Sequence, residues 1–123
     1  MANSVAHFEI TGKDGEKTKQ FFADLFGWTI DSTNPMNYGL VDPGATSNGR
    51  GIAGGISGTM QGQDGYITVY IEVEDVEASL VKAESLGGTR MFGPETIMEG
   101  VTIGLFAEPE GKPVGLLQAV EAA

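Results

Sequence analysis

Apolar and polar side chains alternate along Val5-Ala-His-Phe-Glu-Ile10 and again along Thr68-Val-Tyr-Ile-Glu-Val73, the period-2 pattern of a strand with two unlike faces. Each segment is followed by a pattern of helical period. The first opens near Asp14 and places Thr18, Phe22, Leu25 and Phe26 on one face before Gly27; the second opens at Asp75 and places Val76, Leu80 and Ala83 on one face, with Leu86 before Gly87-Gly88. An aspartate at the start and a glycine at the end are the side chains that satisfy the free backbone groups of a helix. Short strand candidates follow in both halves: Trp28–Ile30, Tyr38–Val41 and Gly51–Ile56, then Thr89–Met91, Val101–Phe106 and Val114–Ala119. Both halves therefore read strand, helix, strand, strand, strand, an internal repeat covering about residues 4–58 and 65–120 of a single domain, 1–123. Matching Ile10 to Val73 gives an offset of 63 and matching Gly27 to Gly87 gives 60, which implies three extra residues in the first strand-to-helix connection.

Alternation also predicts the faces. Ala6, Phe8 and Ile10 in one repeat, with Ile67, Val69, Ile71 and Val73 in the other, should pack against the two helices. The opposite faces carry Val5, His7 and Glu9, and Thr68, Tyr70 and Glu72. A polar and aromatic face on an inner strand fits the lining of a concavity, the kind of place where a small ligand is held. Trp28, Tyr38, Tyr66, Tyr70 and Phe106 add candidate stacking surfaces. Ligand-binding candidates are thus His7, Glu9, Trp28, Tyr38, Thr68, Tyr70, Glu72 and Phe106.

Composition narrows the partners. In 123 residues there are 19 glycines and 5 prolines, which favours short strands and turns, while 41% hydrophobic and 20% charged residues suffice for one core. Seven Lys and Arg against seventeen Asp and Glu leave a net charge of −10, which repels a phosphate backbone and argues against nucleic acid. The absence of cysteine excludes disulfides and thiolate chemistry. No apolar run is long enough to span a bilayer, and the first residues lack a signal-peptide pattern, so a cytoplasmic protein with no membrane partner is expected. Gly49-Arg-Gly-Ile-Ala-Gly54 matches G-x-G-x-x-G, but without a strand before it and a helix after it the match does not indicate a dinucleotide site.

Three sets of residues, His7-Phe-Glu-Ile10 with Phe21-Phe22 and Phe26-Gly-Trp28, Val73-Glu-Asp-Val76 with Leu86-Gly-Gly88, and Leu105-Phe-Ala-Glu-Pro-Glu-Gly111 with Val114-Gly-Leu116, resemble the vicinal oxygen chelate superfamily. That superfamily includes glyoxalase I, bleomycin-resistance proteins and extradiol dioxygenases. The resemblance implies an α+β, glyoxalase-like fold in which two βαβββ repeats form curved mixed sheets with the helices outside. It also implies four metal ligands, His or Gln in the first strand, His at the equivalent point of the second repeat and Glu in the fourth and eighth strands, which counting along the strands places at Val5, Thr68, Gly54 or Gly55, and Gly115; all four expected ligands are missing. A metal-free chain without cofactors is expected, with a site built from His7, Glu9 and Glu72 as the metal-binding alternative. Glu9 stands where glyoxalase I enzymes resemble one another in carrying an Arg, so a cationic or hydroxyl-rich ligand is favoured over a glutathione conjugate. The resemblance further implies a homodimer. Three readings stay open: a small-molecule binding protein of the glyoxalase and bleomycin-resistance type; an enzyme, either a metal-dependent lyase, isomerase or dioxygenase with non-standard ligands or a metal-free acid–base catalyst using His7 with Glu9 or Glu72; and a homodimer whose apparent pocket is simply an interface.

Overall fold

A computed structural model describes residues 2–42, 51–59 and 63–119. The chain forms two compact units, one running from His7 to Ile67, the other from Thr68 onward together with the segment before His7. The first comprises β1 (Val5–Gly12), α1 (Gly15–Phe26), β2 (Ile30–Asp31), β3 (Gly39–Val41) and β4 (Gly54–Gly58). Its strand order is β2-β3-β4-β1, with β1 parallel to β4 and the other pairs antiparallel. The second comprises β5 (Ile67–Glu72), α2 (Val76–Ser85), β6 (Thr89–Met98), β7 (Val101–Ala107) and β8 (Pro113–Ala119). Its order is β6-β7-β8-β5, with β5 parallel to β8 and the others antiparallel. The two βαβββ repeats expected from the pattern are therefore present, in the same topology, and the class is α+β.

The helices are capped as their sequences dictate. The Asp14 carboxylate accepts from the Lys17 N–H at 3.1 Å, and the Asp75 carboxylate from the Ala78 N–H at 3.0 Å. Gly27 ends α1 in the left-handed region, φ 71°, donating to the Ala23 carbonyl. These caps correct the repeat offset. Asp14 and Asp75 lie 61 apart, and each is four residues beyond the strand residue, Ile10 or Ile71, that pairs with the buried Ile56 or Leu116. The spacing from these paired residues to the capping aspartates is equal; what differs is α1, which runs two residues longer than α2. The expectation of three extra residues arose from ending the first strand at Ile10, whereas Thr11 and Gly12 continue it by pairing with Ser57 and Gly58.

Each unit has its own core. Ile10, Val41 and Ile56 are buried in the first, with Phe8, Phe22, Trp28 and Ile30 packed on them. Val76, Leu80 and Leu116 are buried in the second, with Val73 and Phe106 around them. The face expectation holds for Phe8, Ile10, Ile71 and Val73 but not for Ile67 and Val69, which are exposed. The cause is that α2 lies over β6, β7 and β8 rather than over β5. On α1, Leu25 and Phe26 are likewise exposed, while the inward position is taken by Lys19. β6 is also longer than Thr89–Met91, continuing past Gly93-Pro94 by shifting register against β7 at three points. Gly49 and Arg50 of the glycine motif lie outside the described residues; Gly54, its last residue, opens β4, with no helix after it.

Gly54 is where the first core is tightest. It pairs with Phe8, and any Cβ there would fall inside the Phe8 ring. Gly54→Ala should lower the unfolding free energy by about 1–3 kcal/mol, the usual penalty for overpacking. Gly58→Ala, whose Cβ would meet nothing nearer than 3.7 Å, should be close to neutral in the same urea titration.

Candidate functional site

In the unit His7–Ile67, β1 turns His7 and Glu9 away from the core that Phe8 and Ile10 help to build. Glu9 is 8% exposed, and each of its oxygens receives a phenol proton: Tyr38 Oη donates to Oε1 at 3.0 Å and Tyr66 Oη to Oε2 at 2.8 Å. A buried carboxylate is stable only when such donors replace its water. His7 Nε2 lies 3.0 Å from Tyr38 Oη. Because the single phenol proton points at Glu9, the Tyr38 oxygen accepts from Nε2–H.

Backbone geometry aims both tyrosines. Asn34 brackets Tyr38, its Nδ2 donating to the Tyr38 carbonyl at 2.7 Å and its Oδ1 accepting the Tyr38 N–H at 2.9 Å. The Tyr38 ring then lies over Gly55, the cross-strand partner of Glu9, in space that any side chain at Gly55 would occupy. Tyr66 is fastened to Thr11, whose N–H donates to the Tyr66 carbonyl at 2.8 Å and whose hydroxyl accepts the Tyr66 N–H at 3.0 Å. Burial holds the His7 imidazole below its usual titration range, against the opposing pull of the Glu9 charge. Tyr66 is driven up, first by burial and then by the charge and hydrogen bond of Glu9.

The remaining predicted residues fall elsewhere. In the second unit, Thr68 and Tyr70 are buried and Glu72 is exposed. The Tyr70 ring covers its partner Gly115, the counterpart of Tyr38 over Gly55. Thr68 donates to the Pro113 carbonyl at 2.6 Å. Trp28 packs with Phe8, Phe22 and Phe26, ring centroids 5.4–5.6 Å away, in the core of the first unit. Phe106 shares the helix-covered face of β7 and β8 with Leu116 and packs on the second core. Tyr66 completes the network, and its sequence signal was its place in the series Tyr66, Thr68, Tyr70 at alternate positions.

The offset of 61 also moves the implied metal ligands. His7, not Val5, is the counterpart of Thr68, and Tyr70, not Glu72, is the counterpart of Glu9. One implied position thus carries a donor after all. The others are poorer: Thr68 offers only a neutral hydroxyl where an imidazole is implied, and Gly55 and Gly115 lack side chains and lie under tyrosine rings. Among the described residues no three His, Cys, Asp or Glu form a group that could hold a metal ion. The donor set does not fit the metal that the resemblance implies. What the first unit offers instead is a neutral imidazole and two phenols around a buried carboxylate, a chain of groups suited to hydrogen bonding and proton transfer.

A histidine that resists protonation when folded makes stability fall as pH drops below 6.5, its ordinary value, and level off below its folded value. Urea titrations from pH 8 to 5 should therefore show wild type losing stability relative to His7→Gln as acid is added, with a constant difference above about pH 7.5. In an alkaline absorbance titration of the folded protein, one tyrosine should ionise well above pH 10, and Tyr66→Phe should remove that phase.

The family described as "Bleomycin resistance protein-like N-terminal" matches residues 5–44, about a third of the chain. "Putative glyoxylase CFP32" of Mycobacterium bovis and of Mycobacterium tuberculosis is 32% identical over 109 residues, covering 86% of this chain and 42% of the relative. The chain thus spans less than half the length of the curated relatives it matches. Among solved structures, a variant of Streptomyces coelicolor methylmalonyl-CoA epimerase in complex with 2-nitronate-propionyl-CoA is similar with a TM-score of 0.63 at 15% identity, over 98% of this chain and 100% of that one. Hypothetical protein BH1468 of Bacillus halodurans C-125 gives 0.64 at 11% identity, over 100% and 99%. These likenesses are to the fold. No helix among the described residues is long and apolar enough to cross a membrane. The duplicated βαβββ topology and these likenesses show a glyoxalase-like fold, and the glyoxylase relatives support the vicinal oxygen chelate superfamily.

Proposed function

We propose that the chain is a small-molecule binding protein of the glyoxalase and bleomycin-resistance type, that it acts as one domain, and that its site works without a metal ion. The observation that carries this is the paired covering of Gly55 by Tyr38 and of Gly115 by Tyr70, which fills with aromatic rings the two places where the resemblance implies carboxylate ligands. His7, Tyr38, Glu9 and Tyr66 supply hydrogen-bonding groups in their stead. Several solved neighbours are complexes with CoA esters. A net charge of −10 disfavours so anionic a ligand and supports a neutral or cationic, hydroxyl-bearing one. The contact of neutral His7 with Tyr38, itself bonded to Glu9, favours a metal-free acid–base enzyme as the second reading.

The chain is further proposed to pair with a second copy of itself in the cytoplasm. Phe21, Leu25 and Phe26 on α1 are all more than half exposed, apolar side chains that a partner would cover.

Equilibrium dialysis against Mn²⁺, Ni²⁺, Zn²⁺ and Fe²⁺ should return no stoichiometric, tight metal; a bound equivalent that His7→Ala abolishes would overturn the metal-free reading. In a thermal-shift screen, neutral and cationic hydroxylated aromatics should raise Tm, CoA esters should not, and Tyr38→Phe should reduce the response. A ligand at about 100 times its Kd adds about 2.7 kcal/mol of stability, well within the resolution of the method. Sedimentation at micromolar concentration should give twice the mass of a single chain.

A further inference from the structure

We infer that Lys19, on α1, is a positioning residue for this site, setting the aim of Tyr38 from the far side of the turn that carries it. The inference rests on the reading that His7, Tyr38, Glu9 and Tyr66 form the site.

Lys19 is 7% exposed, on the inward face of a helix where an apolar side chain would be the economical choice. Withdrawing an ammonium group from water is costly, so a buried lysine calls for a structural use. Its Nζ donates to the Asn37 carbonyl at 2.8 Å, with Glu16 Oε2 at 3.6 Å as counter-charge. Glu16 Oε1 accepts from Asn37 Nδ2 at 3.0 Å, so one turn of α1 grips both the backbone and the side chain of Asn37. Asn37 sits at φ 54°, a left-handed conformation that an L-residue other than glycine adopts when its surroundings hold it there.

Tyr38 follows directly. Its backbone is bracketed by Asn34, and Gly39 after it is registered with Ile56. The stem of Lys19 is also built into this region, because a Cβ on buried Gly39 would come within 3.0 Å of its Cε. Three consecutive residues are thereby fixed by helix, turn and strand in succession. Tyr38 can then lie over Gly55 and reach both His7 and Glu9. Removing the Lys19 donor while keeping its volume should leave the core filled but free the turn to re-aim the ring.

The test follows the His7 imidazole by long-range ¹H–¹⁵N correlation spectra across pH, in wild type, Lys19→Met, Lys19→Arg, Asn37→Gly and Tyr38→Phe, with urea titrations to confirm folding. Lys19→Met should stay folded while the His7 resonances shift and its titration moves up towards 6.5, the direction expected when the ring over the site loosens and burial is relieved. Lys19→Arg, which retains a donor, should preserve more of the wild-type signal. Asn37→Gly keeps the left-handed turn but loses the bond to Glu16, and should move His7 in the same direction; it also serves if Lys19→Met does not fold. An unmoved His7 in Lys19→Met and Asn37→Gly, beside a clear change in Tyr38→Phe, would overturn the role of Lys19 alone. An unmoved His7 in Tyr38→Phe would instead overturn the reading of the site, and this inference with it.

Discussion

A carboxylate turned into the protein, at Glu9, is the constraint around which the first unit is arranged. Burying it requires two donors, and both come from tyrosines on separate stretches of chain, one on the turn before β3 and one just ahead of β5. Bringing a phenol to each oxygen demands a glycine at position 55, because the Tyr38 ring occupies the space that a side chain there would need. It also demands an anchored turn and the Thr11 to Tyr66 pairing. Local geometry, side-chain chemistry and sheet register are therefore consequences of one charge needing solvation by protein.

The two repeats share topology, capping aspartates and a glycine under an aromatic ring, yet they have diverged in chemistry. At the position equivalent to Glu9 the second carries Tyr70, which is both the strand residue and the cover for Gly115. The first has a charged group on the strand and imports its ring from a turn. The strand face around Glu9 consequently gathers His7, Glu9 and two phenols in one hydrogen-bonded network, while the equivalent face around Tyr70 is built from packing, with Thr68 bonded to a backbone carbonyl.

Much of this was legible in the chain itself. Aspartate ahead of helical periodicity marked both helix starts, Gly27 marked an end, and alternation put His7 beside Glu9 on a face opposite Phe8. Three things escaped for definable reasons. Thr11-Gly12 and Gly93-Pro94 look like interruptions, yet strand pairing carries through both, which shifted the repeat alignment and hid most of β6. Aromatic character does not disclose a face: Trp28 and Phe106 pack on helix-covered cores, while Tyr38 and Tyr70 cover glycines of the sheet. Lys19 was invisible because a charged residue in a helix reads as solvated, and only the turn that accepts its hydrogen bonds gives it a reason to be inside. Tyr66 could be seen as an aromatic at the right parity, but its target, Glu9, lies 57 residues away.

Gly54 and Gly55 are neighbours on one short strand, and they accept rings on opposite sides of it, Phe8 on one and Tyr38 on the other. At this point the first sheet is little more than bare backbone sandwiched between two aromatic plates. The apolar core and the polar face that carries Glu9 are separated by a single peptide group, so neither can evolve by enlarging a residue here. New binding preferences must come from the surrounding turns, leaving this dipeptide as the fixed point about which they vary.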